Sequence, residues 1–458
     1  MRGLKKFGIY GLWGERNYEL ILNDGKLIMV GENGCGKTTV LRILFYTLEK
    51  RWGQLVKENF KRIKIVMNDN EEREFSKEQL GKPEEYMIDA DSELLTRIPL
   101  LYRYQMNNRN QMNKCDKLMP EDVLEMIENM NYPQGMFDDI IEELEKKILK
   151  VPSSIKNVSE WLNLQINHSI LYMPTYRRIE KGSNYYNKKN VMSKGRKKIN
   201  THGITNLGIE VSHIGMGDVN QAIYDLIEEI REEYAKSASQ LNINCFKGIL
   251  IQEYEKVDEI PLDYMYPECI EMIFNSVSDK ELLDKDKEQI KEKLMAVIDK
   301  KEEYNEYDKI VIYYYNMLIK RYERLKEIED RLEHFFYACN QYMTGKEFLY
   351  DPSKFKYTIK VESRDGSKKD MSIEQLSSGE KQIVALFSYL FLFISEPCMV
   401  VIDEPELSLS VMWQEKILED IVNSGMCGEL IVATQSPFVY DNSLRKYAHS
   451  IEEFLVLE

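Results

Sequence analysis

An α/β architecture, in which a mixed sheet flanked by helices is interrupted by a large α-helical, coiled-coil-like arm, follows from three observations. A glycine-rich loop joins a short apolar strand to an amphipathic helix near the start of the sequence. A second apolar strand, near the other end, closes on two adjacent carboxylates. Between them runs a long stretch of helical periodicity, so the two halves of one core are separated by most of the 458 residues. With 43% hydrophobic and 30% charged residues, the composition is that of a globular protein able to bury a sizeable core, and neither a disordered nor a membrane chain.

The first element is "KLIMVGENGCGKTTVLRIL", from Lys26 to Leu44. It matches GxxxxGK[ST] in the context that pattern needs, strand before and helix after. Gly31, Asn33, Gly34, Cys35, Gly36, Lys37, Thr38 and Thr39 form the candidate phosphate cradle. Backbone N–H groups and the positive end of the new helix surround β- and γ-phosphates, Lys37 adds a point charge, and the Thr38 hydroxyl ligates Mg²⁺. ATP and Mg²⁺ are the implied ligands. Tyr18, just upstream, suits stacking on adenine or packing in a sheet, and packing is the expectation.

The second element is "MVVIDEPELSLS", a buried strand from Met399 to Ile402 followed by Asp403 and Glu404. Such a strand end in a parallel sheet aims both carboxylates at the phosphates. Asp403 then holds Mg²⁺ and Glu404 orients and deprotonates the attacking water. "LIVATQSPF", Leu430 to Phe438, reads as a further buried strand, with Thr434 and Gln435 at its end. Gln435 can hydrogen-bond a phosphate oxygen without carrying charge. In "QLSSGEKQIVALF" the residues Ser377, Ser378, Gly379 and Glu380 open an apolar-faced helix, whose free N–H groups make a second phosphate-binding surface or an ordinary capping box.

The intervening sequence is predominantly helical. "PEDVLEMIENM" and "MFDDIIEELEKKILK" carry apolar residues at helical intervals, and "SILYMPTYRRIEKG" returns as a strand ending near Pro174, Tyr176, Arg177 and Arg178. From Asp279 to Phe336 there are few breakers; the segment would run on the order of 85 Å as one helix and half that as a hairpin. Its heptads are too rough for a sustained coiled coil. The turn "RDG", Arg364 to Gly366, marks a hairpin leading into the Ser377 helix. The expected divisions are 1–95, an N-terminal lobe with the loop; 96–165, a helical insertion; 166–180, a core strand; 181–208, a basic flexible loop; 209–340, a helical arm; and 341–458, a C-terminal lobe.

Charge and cysteine usage narrow the function classes. A formal charge of −15 argues against wholesale coating of nucleic acid. Between Lys181 and Lys198, however, there are seven basic residues and no acidic one, a run that suits a phosphate backbone, an acidic protein surface or plain solvent. The seven cysteines lack CxxC spacing, which fits reduced thiols, and the five histidines show no ligand spacing. "IVALFSYLFLFI", from Ile383, is too short for a bilayer and reads as a buried helix; with no secretory segment at the N-terminus, the expected location is the cytoplasm.

Taken together, "GENGCGKTT", "YMPTYRRIE", "QLSSGEKQIVALFSYLF", "IDEPELSLSVMWQ" and "ATQSPFVYDN" resemble the ABC-type ATPases, related to the overcoming-lysogenization-defect and Rad50 groups, of bacterial anti-phage systems. The ATPase components of PARIS systems are most similar, and those of Septu systems come second. The resemblance implies that Ser377, Ser378, Gly379 and Glu380 are a signature acting in trans on a neighbour's γ-phosphate, so that the chain forms homodimer units within a higher oligomer. It further implies a separate Toprim-type effector nuclease, released when a phage trigger protein is sensed; a Septu-type chain would have an HNH nuclease instead. Gln435 stands where the family usually has a histidine. After Gln435 only 436–458 remain, too little for a nuclease of its own, hence the expectation of a partner. A Rad50- or RecF-like DNA-repair ATPase is the rival reading, and a transporter energiser is disfavoured by the large insertion.

Overall fold

The computed structural model describes residues 3–89, 92–98, 117–128, 137–148, 150–174, 209–210, 215–256, 260–277, 282–299, 304–352, 354–362, 367–394 and 396–456. Tyr176, Arg177, Arg178, the basic stretch 181–208 and the turn Arg364–Gly366 lie outside them. The chain divides into two units: Met1–Ala222 with Gln341–Thr344 and Ser372–Glu458, and Ile223–Asn340 with Gly345–Met371.

The first unit begins with a hairpin of β1 (Leu4–Leu12) and β2 (Arg16–Ile21), in register Phe7↔Leu20 and Ile9↔Tyr18. β3 (Lys26–Val30) leaves this sheet, and α1 (Lys37–Leu48) comes after the glycine loop. The helix buries Val40, Leu41, Ile43, Leu44, Phe45 and Leu48, each worth about 1.5–3 kcal/mol of transfer from water. β4 (Arg62–Met67) and β5 (Glu72–Ser76) extend the hairpin into an antiparallel sheet of order β2-β1-β4-β5. In "RIKIVM" the residues Ile63, Ile65 and Met67 are buried and their neighbours are not, as a one-sided sheet requires. A two-strand ladder of β6 (Ile88–Asp89) and β7 (Lys117–Leu118), with α2 (Pro120–Glu128) and α3 (Asp138–Ile148), closes a small core around Leu95, Val123, Phe137 and Leu144. α4 (Lys156–Gln165) puts Trp161 and Leu162 into the main core instead. The segment expected as one helical insertion, 96–165, therefore ends in a helix that packs into the main core of the first unit. β8 (Ile170–Met173) and β9 (Ile209–Glu210) complete this part.

The second unit is carried mainly by helices. α5 (Met216–Leu250) runs into it, and α6 (Pro267–Asn275), α7 (Asp284–Ile298) and α8 (Glu306–Asn340) come next. The stretch from Asp279 to Phe336 is thus two helices packed on each other, not one rod. The first of these helices ends at Ile298 and the second begins at Glu306. Phe274, Leu294, Val297, Ile312, Tyr315 and Leu318 form a core of their own, with Phe274 and Tyr315 stacked at 6.2 Å. β10 (Lys346–Asp351), β11 (Lys356–Glu362) and β12 (Lys368–Met371) form an antiparallel sheet against which Phe336 packs, 5.4 Å from Phe348 and 5.8 Å from Tyr357. This corrects the expected C-terminal lobe starting at 341: Gly345–Met371 belongs with the helices because its apolar face is spent on α8.

The chain returns to the first unit with α9 (Ser378–Ser388), which passes into a π-helical turn, Tyr389–Phe393, and is buried from Ile383 to Ile394. β13 (Cys398–Asp403), α10 (Val411–Asn423), β14 (Cys427–Thr434) and β15 (Ala448–Ser450) complete the chain order. The core sheet has the order β15-β3-β14-β13-β8-β9, and every pair in it is parallel. Instead of one mixed sheet, parallel and antiparallel strands are thus sorted into separate sheets. All six residues of β13 are buried, as a parallel strand covered on both faces demands.

Candidate functional site

The register of the parallel sheet assembles the site. Met29 pairs with Ala433, Val30 with Thr434, and Ala433 with Asp403, so β3, β14 and β13 end side by side at one carboxyl edge. The glycine loop leaves the end of β3 there, Gln435 the end of β14 and Glu404 the end of β13. In open α/β sheets this edge is where ligands bind.

The loop from Gly31 to Gly36 turns back into α1 through left-handed backbone at Gly34 (φ 83°) and Gly36 (φ 102°). The helix starts at Lys37, with the Val40 N–H bonded to the Gly36 carbonyl at 3.0 Å. Gly36 is required twice over: a Cβ there would sit 2.3 Å from the Trp13 ring. Lys37 Nζ donates to the carbonyls of Gly31 (2.6 Å) and Glu32 (3.1 Å), which parks the ammonium across the loop. The Thr38 hydroxyl donates to Asp403 Oδ2 at 2.7 Å. A hydroxyl facing a fully buried carboxylate is the hard-oxygen pair Mg²⁺ prefers, and with the cradle of loop N–H groups it fits a magnesium-bound triphosphate.

Glu404 lies in left-handed backbone (φ 51°), an uncommon state for a non-glycine residue and a mark of functional sites, and its N–H is held by the Ala433 carbonyl at 2.8 Å. Burial raises its carboxyl above the ordinary range; the charges of Asp403 and Glu406 add to this, and Lys37 opposes it. A carboxyl raised in this way is suited to a general base.

Ser377 caps α9, receiving the Glu380 N–H at 3.4 Å while Glu380 Oε2 accepts the Ser377 N–H at 2.8 Å. The capping box is therefore formed, and the exposed Ser377 and Ser378 stand at a helix N-terminus. Gly379 has a packing role besides: a Cβ would meet the Ser408 carbonyl at 2.7 Å and the Trp413 ring at 3.1 Å.

The profile of the AAA ATPase domain family (AAA_15) matches residues 14–439. The chain belongs to that family. This AAA ATPase domain has no match among curated protein sequences. Among solved structures it is similar to the Smc head domain with an extended coiled coil bound to the C-terminal domain of ScpA from Pyrococcus furiosus, at 13% identity and TM-score 0.33, covering 96% of this chain and 92% of that one. It is also similar to the Smc head domain with a coiled coil and joint from Pyrococcus yayanosii, at 14% identity and TM-score 0.31, covering 96% and 94%.

Several neighbours of the site in this AAA ATPase domain have no signal in the sequence. Tyr18 is 1% exposed and belongs to the sheet core; the aromatic beside the loop is Trp13, 42% exposed, with the Arg16 guanidinium 5.6 Å from its ring and bonded to the Cys35 carbonyl at 3.4 Å. Glu406, two residues past Glu404, binds Thr434 at the end of β14 and the N–H of Gln435 just after it. No spacing rule pairs Arg16 with Cys35 or Glu406 with Thr434 and Gln435, because these contacts join separate segments of the chain. Among the described residues no helix is long and apolar enough to cross a membrane.

Proposed function

We propose that the chain is an ABC-type ATPase that binds ATP with Mg²⁺ and hydrolyses it. The observation that carries this is the 2.7 Å contact of Thr38 with Asp403 beside Lys37, at the shared carboxyl edge of three parallel strands. Magnesium, when bound, neutralises charge on the phosphates. Lys37 supplies a second positive charge, the loop N–H groups orient the phosphates, and Glu404 takes the proton of the attacking water. Gln435, whose side chain is exposed at the same edge, offers a hydrogen bond to the γ-phosphate end.

The finer reading rests on the motif resemblance. The chain is the sensor and scaffold of an anti-phage system: copies close Ser377, Ser378, Gly379 and Glu380 over one another's ATP, and the assembly holds a separate Toprim-type nuclease until a phage protein is sensed. Such a switch requires the trigger to prefer one nucleotide state of the assembly. Sedimentation of Glu404→Gln with Mg²⁺-ATP and with ADP tests it. Assembly with ATP alone is expected; a chain that stays monomeric at saturating ATP refutes the closure in trans. Co-expression with a neighbouring nuclease gene then separates a Toprim partner from the HNH partner of the Septu-type alternative. Salt-sensitive DNA binding, abolished by neutralising Lys188, Lys189, Arg196, Lys197 and Lys198, would favour a repair ATPase instead.

A further inference from the structure

We propose that Glu406 is a positioning residue whose buried carboxylate fastens the turn after β13 to the start of the loop after β14, and thereby holds Gln435 at the nucleotide edge. The inference rests on the ATPase reading. Glu406 is 8% exposed. Its Oε2 accepts the Thr434 hydroxyl at 2.8 Å, and its Oε1 accepts the N–H groups of Gln435 at 2.9 Å and Ser436 at 3.3 Å.

Three donors converging on one buried carboxylate make charge-assisted hydrogen bonds, stronger than neutral ones and costly to break inside a protein. The backbone is shaped for the task, with left-handed residues at Glu404 (φ 51°) and Ser408 (φ 63°) on either side of the Glu406 turn. Gln414 from α10 adds a second strap, donating to the carbonyls of Leu409 (3.0 Å) and Glu406 (3.4 Å) while accepting the Ser436 hydroxyl at 2.7 Å. The segment carrying Glu404 and the segment carrying Gln435 are therefore bonded through Glu406, besides the backbone contact from Glu404 to Ala433. Removing the carboxylate leaves the Gln435 N–H and the Thr434 hydroxyl without this acceptor, and frees Gln435 to leave the position from which it would meet a phosphate.

The test compares Glu406→Ala, Glu406→Gln, Gln435→Ala and the double variant Glu406→Ala/Gln435→Ala in the full chain. Turnover, ATP affinity and amide exchange at 434–436 are measured for each. Glu406→Ala should lower kcat roughly 10- to 100-fold, the range for a small misplacement near reacting groups, with ATP affinity within about twofold. Glu406→Gln, which keeps one acceptor oxygen for the two N–H groups, should recover most of kcat. The double variant should be no slower than the worse single one, because both act through the same contact. Amide exchange at Gln435 should quicken in Glu406→Ala and stay near the wild-type rate in Glu406→Gln. Multiplicative losses in the double variant, or unchanged exchange at Gln435, overturn the proposal. Should wild type bind ATP without turning it over, the ATPase reading fails, and the exchange result still decides whether Glu406 positions the loop. If Glu406→Ala does not fold, Thr434→Val with the same readouts takes its place; exchange at Gln435 as slow as in wild type then overturns the proposal.

Discussion

On the proposed ATPase reading, Glu404 and Lys37 have separate jobs. Lys37 lies across the loop that would hold phosphate, whereas Glu404 stands past the end of β13 with its carboxyl raised by burial. Lys37→Ala is expected to remove measurable ATP binding. Glu404→Gln is expected to bind ATP as wild type does while kcat falls by about 10²–10⁴, the range for losing a general base. Equilibrium binding beside steady-state turnover checks both, and loss of binding in Glu404→Gln would contradict its assignment. Away from the site, Glu429 is buried with its carboxyl pushed up to about 7, while its Oε1 accepts the Leu4 N–H at 2.8 Å. The folded state thus keeps this proton across a window from 4.5 to about 7 in which the unfolded chain has released it. Its stabilising contribution is fully present below that window and is lost as pH rises through it. Glu429→Gln should therefore raise the unfolding free energy measured in urea at pH 8, by at most roughly 3 kcal/mol, with the gain shrinking toward pH 5. His168, 3.8 Å away and lowered by burial, has the opposite slope, losing stability as pH falls. An equal gain at both pH values would show that Glu429 is not the titrating group.

The helix α9 carries two demands on one serine. As an N-cap, Ser377 receives the Glu380 N–H, and glycine replaces such a cap far better than alanine does. Ser377→Ala should cost about 1 kcal/mol in chemical unfolding and Ser377→Gly only a few tenths. If the hydroxyl also meets a neighbour's phosphate, ATP-dependent association falls in both variants alike. Association that instead tracks stability, intact in the glycine variant, would leave Ser377 as a cap alone.

The two units each bury their own core, so their stabilities should separate. Phe274 is fully buried in the second unit, and Phe274→Ala should destabilise that unit by about 3–5 kcal/mol without altering ATP affinity. Calorimetry should show the change in one transition only. A parallel loss of ATP binding would mean that the two cores unfold together.

Much of the site is legible in the sequence because its pieces are local. The strand-loop-helix around Lys37 sets its own backbone through Gly34 and Gly36, and the apolar run Met399–Ile402 announces a buried parallel strand whose end is Asp403. Periodicity likewise marks the helices. The same periodicity does not say where Asp279–Phe336 folds back, nor that Gly345–Met371 joins the helices, since both depend on which apolar faces find each other. Trp13 against Gly36, Gly379 under Ser408, and Glu406 on Thr434 and Gln435 are contacts of the same kind. A motif of a few residues encodes its own turn because the relevant hydrogen bonds close within it. Contacts between distant segments are selected by the packing of the whole sheet, and no local spacing records them.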